Sequence, residues 1–289
     1  AGGGFPSNDT IDFVNIDTTG DAVDFGNLSR GLYLVQATAS RTRGLFHGSH
    51  ATPDPTRNNS IEFVTIASTG DATDFGDLTE EGHGYNSGSG NGVRGILSVL
   101  STSADTTNNI INYVSIAQNG NAVDFGDLSI GAYARKGNVS SPVRSCWAGG
   151  VNSSGNGINT IDYITISTTG NAADFGDLTQ GSREGTGCSN CIRGMYFSGS
   201  GGTDSQIEYI TIATLGNAFD FGDLTYGAEA AGGGASPTRA ISAGGTDSGG
   251  KNIIDYWQIM TLGNAQDFGD RTVALYGCGV ASNGHGGLG

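Results

Sequence analysis

The chain has 289 residues, a net charge of −15 and charged side chains at only 14% of its positions. A strongly acidic chain repels nucleic-acid phosphates, and no apolar run reaches the roughly 18–20 residues that span a bilayer, so neither nucleic-acid binding nor membrane insertion is expected. Glycine is abundant, with 51 residues, and Ser, Thr and Asn are frequent, which favours short strands joined by many turns.

One phrase occurs six times along the chain. Its first copy reads IDFVNIDTTGDAVDFGNL and its fourth reads IDYITISTTGNAADFGDL, and successive copies are spaced by roughly 50 residues. The first arm is rich in strand formers, a glycine with Asp or Asn follows, and the second arm contains the triplet DFG. Each copy therefore predicts a β-hairpin with a two-residue type II′ turn. The copies begin at Ile11, Ile61, Ile111, Ile161, Ile207 and Ile254.

A second phrase follows five of the six hairpins and predicts another strand. It consists of an arginine and then mostly small and apolar residues, as in Arg43-Gly44-Leu45-Phe46, and glycines usually come after it. The looser segment between the two phrases, residues 31–40 in the first copy, predicts a fourth strand. The arginines are Arg43, Arg94, Arg144, Arg193 and Arg239.

Four short strands in each of six repeats are typical of a β-propeller. The sequence therefore predicts a single all-β domain over residues 1–289, a six-bladed β-propeller. A C-terminal strand would close the ring by pairing into the N-terminal blade, because residues 284–289 read into residues 1–4 as one arginine-type phrase, with His285 at the arginine position. The predicted blades are 283–289 with 1–40, 41–90, 91–141, 142–191, 192–237 and 238–282.

The arginine phrase, the aromatic strand and the hairpin together resemble kelch repeats. The kelch glycine pair is best kept at Gly149-Gly150 and Gly244-Gly245, whereas the kelch tryptophan is replaced by the DFG phenylalanine, so the repeat is kelch-like. The longer phrase around DFG is similar to repeats in structural proteins of marine bacteriophages, which are associated with virions and tail fibres. The kelch tyrosine corresponds to Phe13, Phe63, Tyr113, Tyr163, Tyr209 and Tyr256.

This resemblance implies a non-enzymatic structural protein of a bacteriophage virion, in a tail fibre or other surface appendage. Such a protein would present propeller loops to a host-surface glycan or protein, or to other virion proteins, at the virion or outside the cell. The alternative is a glycan-binding propeller module of a secreted bacterial protein.

DFG is also the triplet that holds magnesium in protein kinases, but a kinase interpretation fails here. The only lysines are Lys136 and Lys251, no HRD motif occurs, and catalysis needs one metal-binding aspartate rather than a repeated set. We therefore predict no catalytic residue, cofactor or metal, and a structural role for the triplet. Its aspartates are Asp24, Asp74, Asp124, Asp174, Asp220 and Asp267, and its phenylalanines are Phe25, Phe75, Phe125, Phe175, Phe221 and Phe268.

The fixed phase of these residues suggests what they do in the fold. Each phenylalanine would pack between blades, and each repeat aspartate would cap backbone groups or pair with a repeat arginine. A ring of arginines that binds a central anion is the alternative.

The cysteines and the irregular loops are the remaining candidates for chemistry or binding. Cys188 and Cys191 form a C-x-x-C, but no second ligand pair for zinc exists, so we expect small, partly buried thiols or an incidental disulfide. Ligand binding is expected in the irregular loops at 50–58, 80–92, 102–107, 135–141 and 149–157. The side chains that could contact a ligand such as a sugar are His50, His83, Tyr85 and Trp257.

Overall fold

The structure, a computed structural model, describes residues 1–4, 7–51, 58–82, 87–100, 107–200 and 204–284. Over these ranges the chain forms antiparallel β-strands and no helix, and therefore no helix that could span a membrane. The prediction of an all-β propeller is confirmed, because the strands are grouped into small sheets that follow one another along the chain.

The strands form five sheets whose members are neighbours in sequence. The first sheet contains β1 (Asn8–Phe13), β2 (Val23–Ala39), β3 (Arg43–Ala51), β4 (Asn58–Thr65) and β5 (Thr73–Gly82). The second contains β6 (Ser87–Gly90), β7 (Arg94–Val99), β8 (Ile110–Ser115) and β9 (Val123–Asp127). The third contains β10 (Gly137–Ser140), β11 (Arg144–Ala148), β12 (Thr160–Thr165) and β13 (Ala173–Asp177).

The last two sheets repeat the same four-stranded plan. The fourth contains β14 (Thr186–Ser189), β15 (Arg193–Phe197), β16 (Gln206–Thr211) and β17 (Phe219–Asp223). The fifth contains β18 (Gly232–Ala235), β19 (Arg239–Ala243), β20 (Lys251–Gln258) and β21 (Gln266–Leu275). In every sheet the arginine phrase forms a strand in the interior of the sheet, and in the four-stranded sheets the DFG phrase forms the last strand.

The propeller has five blades, so the predicted count of six is wrong. The first hairpin, formed by β1 and the start of β2, does not make a sheet of its own. β2 is 17 residues long, and it continues from that hairpin into its pairing with β3. This continuous strand joins the first hairpin and the next three strands into one five-stranded sheet.

The predicted closing strand at the C-terminus is also not seen among the described residues. The last strand ends at Leu275, and beyond it Gly279 and Ala1 exchange two backbone hydrogen bonds of 2.7 and 3.1 Å. His285, which was predicted to lie in a closing strand, falls outside the described residues.

The core lies between consecutive sheets. Phe75 on β5 packs with Val114 and Ile116 of the second sheet, and Phe125 on β9 packs with Ile164 of the third sheet. Burying a phenylalanine contributes roughly 1.5–3 kcal/mol, so each sheet is held to the next by the DFG strand of one and the aromatic strand of the other.

The glycine before Asp or Asn does not form the predicted two-residue turn. Residues 116–122 connect β8 to β9, and the hydrogen-bonded turn comes early in them, where the Gln118 N–H donates to the Ser115 carbonyl at 3.2 Å. Gly120 is instead in an extended conformation, and its N–H donates to the Phe75 carbonyl of the preceding sheet at 2.8 Å. The repeated Gly-Asn pair therefore joins neighbouring sheets.

Candidate functional site

Three hydrogen bonds connect the DFG strand of one copy to the hairpin of the next, and we call this set the junction. At the second copy, the Gly120 N–H donates to the Phe75 carbonyl at 2.8 Å and the Ala122 N–H to the Asp77 carbonyl at 2.7 Å. The Asp77 N–H in turn donates to Asn121 Oδ1 at 3.1 Å. The sequence DFGD and the sequence GNA or GDA are thus two halves of one contact.

The same junction occurs between every pair of consecutive copies, and it also joins the last copy to the first. The Gly20 N–H donates to the Phe268 carbonyl at 2.9 Å, so the hairpins form a closed hydrogen-bonded ring. The glycine–phenylalanine pairs are Gly70–Phe25, Gly120–Phe75, Gly170–Phe125, Gly216–Phe175, Gly263–Phe221 and Gly20–Phe268.

The glycine of DFG is required at the junction by a close backbone approach. Gly126 has a φ of +141°, and a Cβ atom built on it would lie 2.5 Å from the Gly170 carbonyl oxygen. Any side chain at this position would push β9 away from the segment that contains Gly170. The triplet therefore carries a packing requirement.

The DFG aspartates do not make the predicted pair with the repeat arginines. All six, which are Asp24, Asp74, Asp124, Asp174, Asp220 and Asp267, have exposed side chains, and no ion pair within the described ranges includes any of them. The predicted ion pairing is therefore wrong for the part of the chain that the structure describes.

Each repeat arginine instead joins an aromatic ring of its own sheet to a carbonyl of the next sheet. Arg144 lies over the Tyr163 ring at 4.9 Å from the centroid, and its Nη1 donates to the Ile212 carbonyl at 3.0 Å. Arg43, Arg94, Arg193 and Arg239 stand in the same way over Phe63, Tyr113, Tyr209 and Tyr256. Because each guanidinium lies over the aromatic ring of its own sheet, the five arginines do not converge on a central anion.

A polar side chain in the first arm of each hairpin is buried, and this was not predicted from the sequence. Glu208 on β16 is fully buried, and it accepts hydrogen bonds from the backbone N–H and the hydroxyl of Thr179 in the preceding sheet. The signal that could have revealed it is a polar residue that directly follows the first isoleucine in all six copies. The equivalent residues are Asp12, Glu62, Asn112, Asp162, Glu208 and Asp255.

Three of these carboxylates have a basic partner. Lys136 Nζ lies 2.9 Å from Glu208 Oε2 with both side chains fully buried, and burial lowers the pKa of Lys136. The other pairs are longer, at 3.6 Å for Arg135 with Asp162 and 3.9 Å for Arg271 with Asp12. Asp255 has no basic partner within the described ranges, and burial raises its pKa.

The described residues bring together no metal-binding set. No group of three or more His, Cys, Asp or Glu side chains that could hold a metal ion occurs among them. His47 is fully buried and both its ring nitrogens lack a hydrogen-bond partner, so desolvation lowers its pKa to about 4. The cysteines are free thiols, with Cys188 buried and Cys191 exposed.

Of the four predicted ligand-binding side chains, only that of Trp257 is described. Trp257 is 3% exposed and its ring centroid lies 4.8 Å from that of Phe197, so it belongs to the core and cannot stack on a sugar. His83 and Tyr85 lie outside the described residues, and of His50 only the backbone is described.

A cleft opens where the ends of the chain meet the first hairpin, and we call it the seam cleft. Its volume is about 460 Å³, and its lining includes Phe13, Ile16, Ile66 and Val280. Phe13 is 44% exposed, whereas the equivalent aromatic residues on the other hairpins are less exposed. The seam cleft thus lies between the first hairpin and residues 279–283, where the first copy of the repeat meets the region that follows the last one.

Comparisons with known proteins support the fold alone. No family model and no curated protein matches the sequence. Among solved structures, that of YjhT superposes with a TM-score of 0.69 over 86% of this chain and 87% of its own, at 8% sequence identity. Identity this low carries no statement about activity or ligand.

Proposed function

We propose that the chain is a non-enzymatic structural protein of a bacteriophage virion, part of a tail fibre or other surface appendage. In this role, the kelch-like propeller is a rigid frame that presents its irregular loops to a host receptor or to another virion protein. The protein would act at the virion surface or outside the cell.

The observation that supports this role best is that the repeated residues are used for joining sheets. The junctions, the arginines with their ring and carbonyl partners, and the buried carboxylates each recur around the ring, and each connects one copy of the repeat to the next. A frame in which the repeated polar groups serve packing leaves recognition to the loops, which differ between copies. We propose a bacteriophage virion in particular because the DFG phrase resembles repeats in structural proteins of marine bacteriophages.

The test has a localisation arm and a binding arm. Mass spectrometry of purified particles is expected to find the protein in stoichiometric amounts, and the purified protein is expected to bind host cells. Replacing the mostly exposed loop at residues 152–157 with a Gly-Ser segment should reduce binding without lowering thermal stability. Absence from particles together with binding on a glycan array would instead support a secreted glycan-binding module. Hydrolysis of a host polysaccharide would overturn the non-enzymatic role.

A further inference from the structure

The five arginine stacks define a template for how this fold binds a guanidinium group. In each, the guanidinium carbon lies 4.4 to 4.9 Å from the centroid of an aromatic ring on the adjacent strand. Its Nη1 donates to a main-chain carbonyl in the next sheet at 2.9 to 3.2 Å. Ring and carbonyl together provide a flat face for the cation and an acceptor at its edge.

The seam cleft contains the same two receiving groups in the same positions. The Phe13 ring lies 6.0 Å from Phe25 at an angle of 79°, which matches Phe63 against Phe75 at 6.0 Å and 78°. The Ile66 N–H donates to the Thr42 carbonyl, just as the Ile116 N–H donates to the Val93 carbonyl. Ile66 is therefore the counterpart of Ile116, whose carbonyl accepts the hydrogen bond from Arg43.

Among the described residues no arginine lies over Phe13, whereas each of the other five rings of the aromatic series has one. Phe13 and Ile66 line the same cleft, and the exposed carboxylate of Asp17 lines it as well. The site therefore combines an open ring face, a carbonyl and a negative charge, in a chain whose net charge is −15. These are the features that attract a cationic side chain.

Part of the β1 edge that faces the cleft has no partner strand among the described residues. In the described residues β1 pairs with β2, and on its other side only its start is bonded, where Gly2 donates to the Thr10 carbonyl and Gly3 forms a bridge with Asn8. The counterpart β4 pairs along its length with β3 on one side and with β5 on the other. An extended segment can add to such an edge by main-chain hydrogen bonds. In the described part of the chain, β1 has no neighbour corresponding to β3, the strand that carries Arg43.

We propose that the seam cleft binds an arginine side chain carried by an extended segment of a partner protein, which pairs with the β1 edge around Asp12 and Phe13. This goes beyond the loop-presenting role and does not depend on it. The chain's own strands indicate the sequence that fits, which is arginine, a small residue and then apolar residues. The small residue is needed because a Cβ atom on Gly95 would lie 2.9 Å from Thr38 Cγ2, and one on Gly194 would lie 2.5 Å from Val139 Cγ2.

The probe is a fluorescein-labelled peptide with the sequence of residues 94–98, Arg-Gly-Ile-Leu-Ser, and the readout is fluorescence anisotropy with the full chain. A second peptide carries citrulline in place of arginine, which keeps the shape and removes the charge. We expect the arginine peptide to bind, and citrulline to weaken binding about tenfold. Phe13→Ala should weaken it similarly, while Phe219→Ala, which truncates a 62% exposed ring outside the cleft, should leave it unchanged.

A variant that cannot disturb packing keeps the test informative if Phe13→Ala is poorly folded. Asp17 is exposed, and Asp17→Asn should weaken the arginine peptide and reduce its salt dependence without affecting the citrulline peptide. Absence of binding, or equal binding of the two peptides, would overturn the proposal. Binding that appears only after truncation behind Gly284 would also overturn it, because the cleft would then belong to residues 285–289 of the same chain.

Discussion

The carboxylate of Asp21 accepts a hydrogen bond of 3.0 Å from the backbone N–H of Asp270, which lies 249 positions later in the chain. The same bond joins Asn121 to the Asp77 N–H at 3.1 Å inside the ring. The contact between the first and last copies is thus chemically equivalent to the internal ones, and it is the one that closes the ring of hairpins.

Asp21→Ala is expected to lower the free energy of unfolding by about 0.5–1.5 kcal/mol, because the Asp270 N–H loses its protein acceptor at a position that water can reach. Asp21→Asn should be close to neutral, since Asn stands at this position in most copies. Urea unfolding measures both variants, with Asn121→Ala as the internal control. If Asn121→Ala lowers the free energy of unfolding and Asp21→Ala does not, the bond between Asp21 and Asp270 does not stabilise the contact between the first and last copies.

The DFG glycine gives a prediction in which the chain supplies its own control. Gly126 and Gly170 both have φ values near +145°, at +141° and +150°, but only a Cβ on Gly126 meets backbone within 4 Å. Both alanine substitutions carry the strain of that φ, about 1–3 kcal/mol. Gly126→Ala should cost about 1–3 kcal/mol more because of overpacking. Equal destabilisation of the two variants in urea unfolding would show that the contact with Gly170 does not restrict this position.

The sequence was sufficient to predict the strands and the propeller, because the copies align the strand-forming residues and the glycines. It was insufficient for the Gly-Asn pair, since glycine followed by asparagine between two strand-like runs looks the same whether it turns the chain or bonds to a neighbouring sheet. The choice is made by the Phe75 carbonyl, which belongs to another copy. The blade count failed for a related reason, as nothing local marks that β2 continues through Leu32 into the next pairing.

The polar contacts could also be predicted only in part from the sequence. The phase of the arginines was visible in the sequence, but their partners are set by the register of neighbouring strands, which places Arg144 over Tyr163 and not beside an aspartate. The buried carboxylate of Glu208 was overlooked because a single acidic residue after isoleucine resembles the solvent face of a strand. Only the approach of the preceding sheet, with Thr179, makes it an interior residue.

The buried pair of Lys136 and Glu208 should respond strongly to the loss of one partner. Lys136→Met leaves the Glu208 carboxylate buried without its cation, and such losses cost about 3–5 kcal/mol. The double variant with Glu208→Gln should be more stable than Lys136→Met alone, because the uncompensated charge is gone while Thr179 keeps an acceptor. The control is Lys251→Met, which breaks an exposed pair of 2.9 Å with Asp247 and should change little. A double variant less stable than the single one would contradict this account.

Asp255 predicts a pH dependence of stability. Burial raises its pKa in the folded protein above the ordinary value of 3.8, so the folded state holds this proton more tightly than the unfolded chain does. The corresponding stabilisation is fully present below pH 3.8 and is lost as the pH rises through the higher pKa of the folded state. Asp255→Asn removes this loss. Asn112 already shows that an amide can accept the equivalent bond, from the Thr79 N–H at 3.2 Å.

Urea unfolding at a series of pH values should therefore show Asp255→Asn gaining on the original chain as the pH rises above 3.8, and then keeping a constant advantage towards neutral pH. Asp124→Asn, which removes one exposed carboxylate of the DFG series, is the matched control for the change in net charge. Because desolvation is the main cause of the shift at Asp255, the gain should persist at high salt, where the influence of surface charges is screened. A difference between Asp255→Asn and the original chain that does not vary with pH would mean that this carboxylate is solvated in the folded protein.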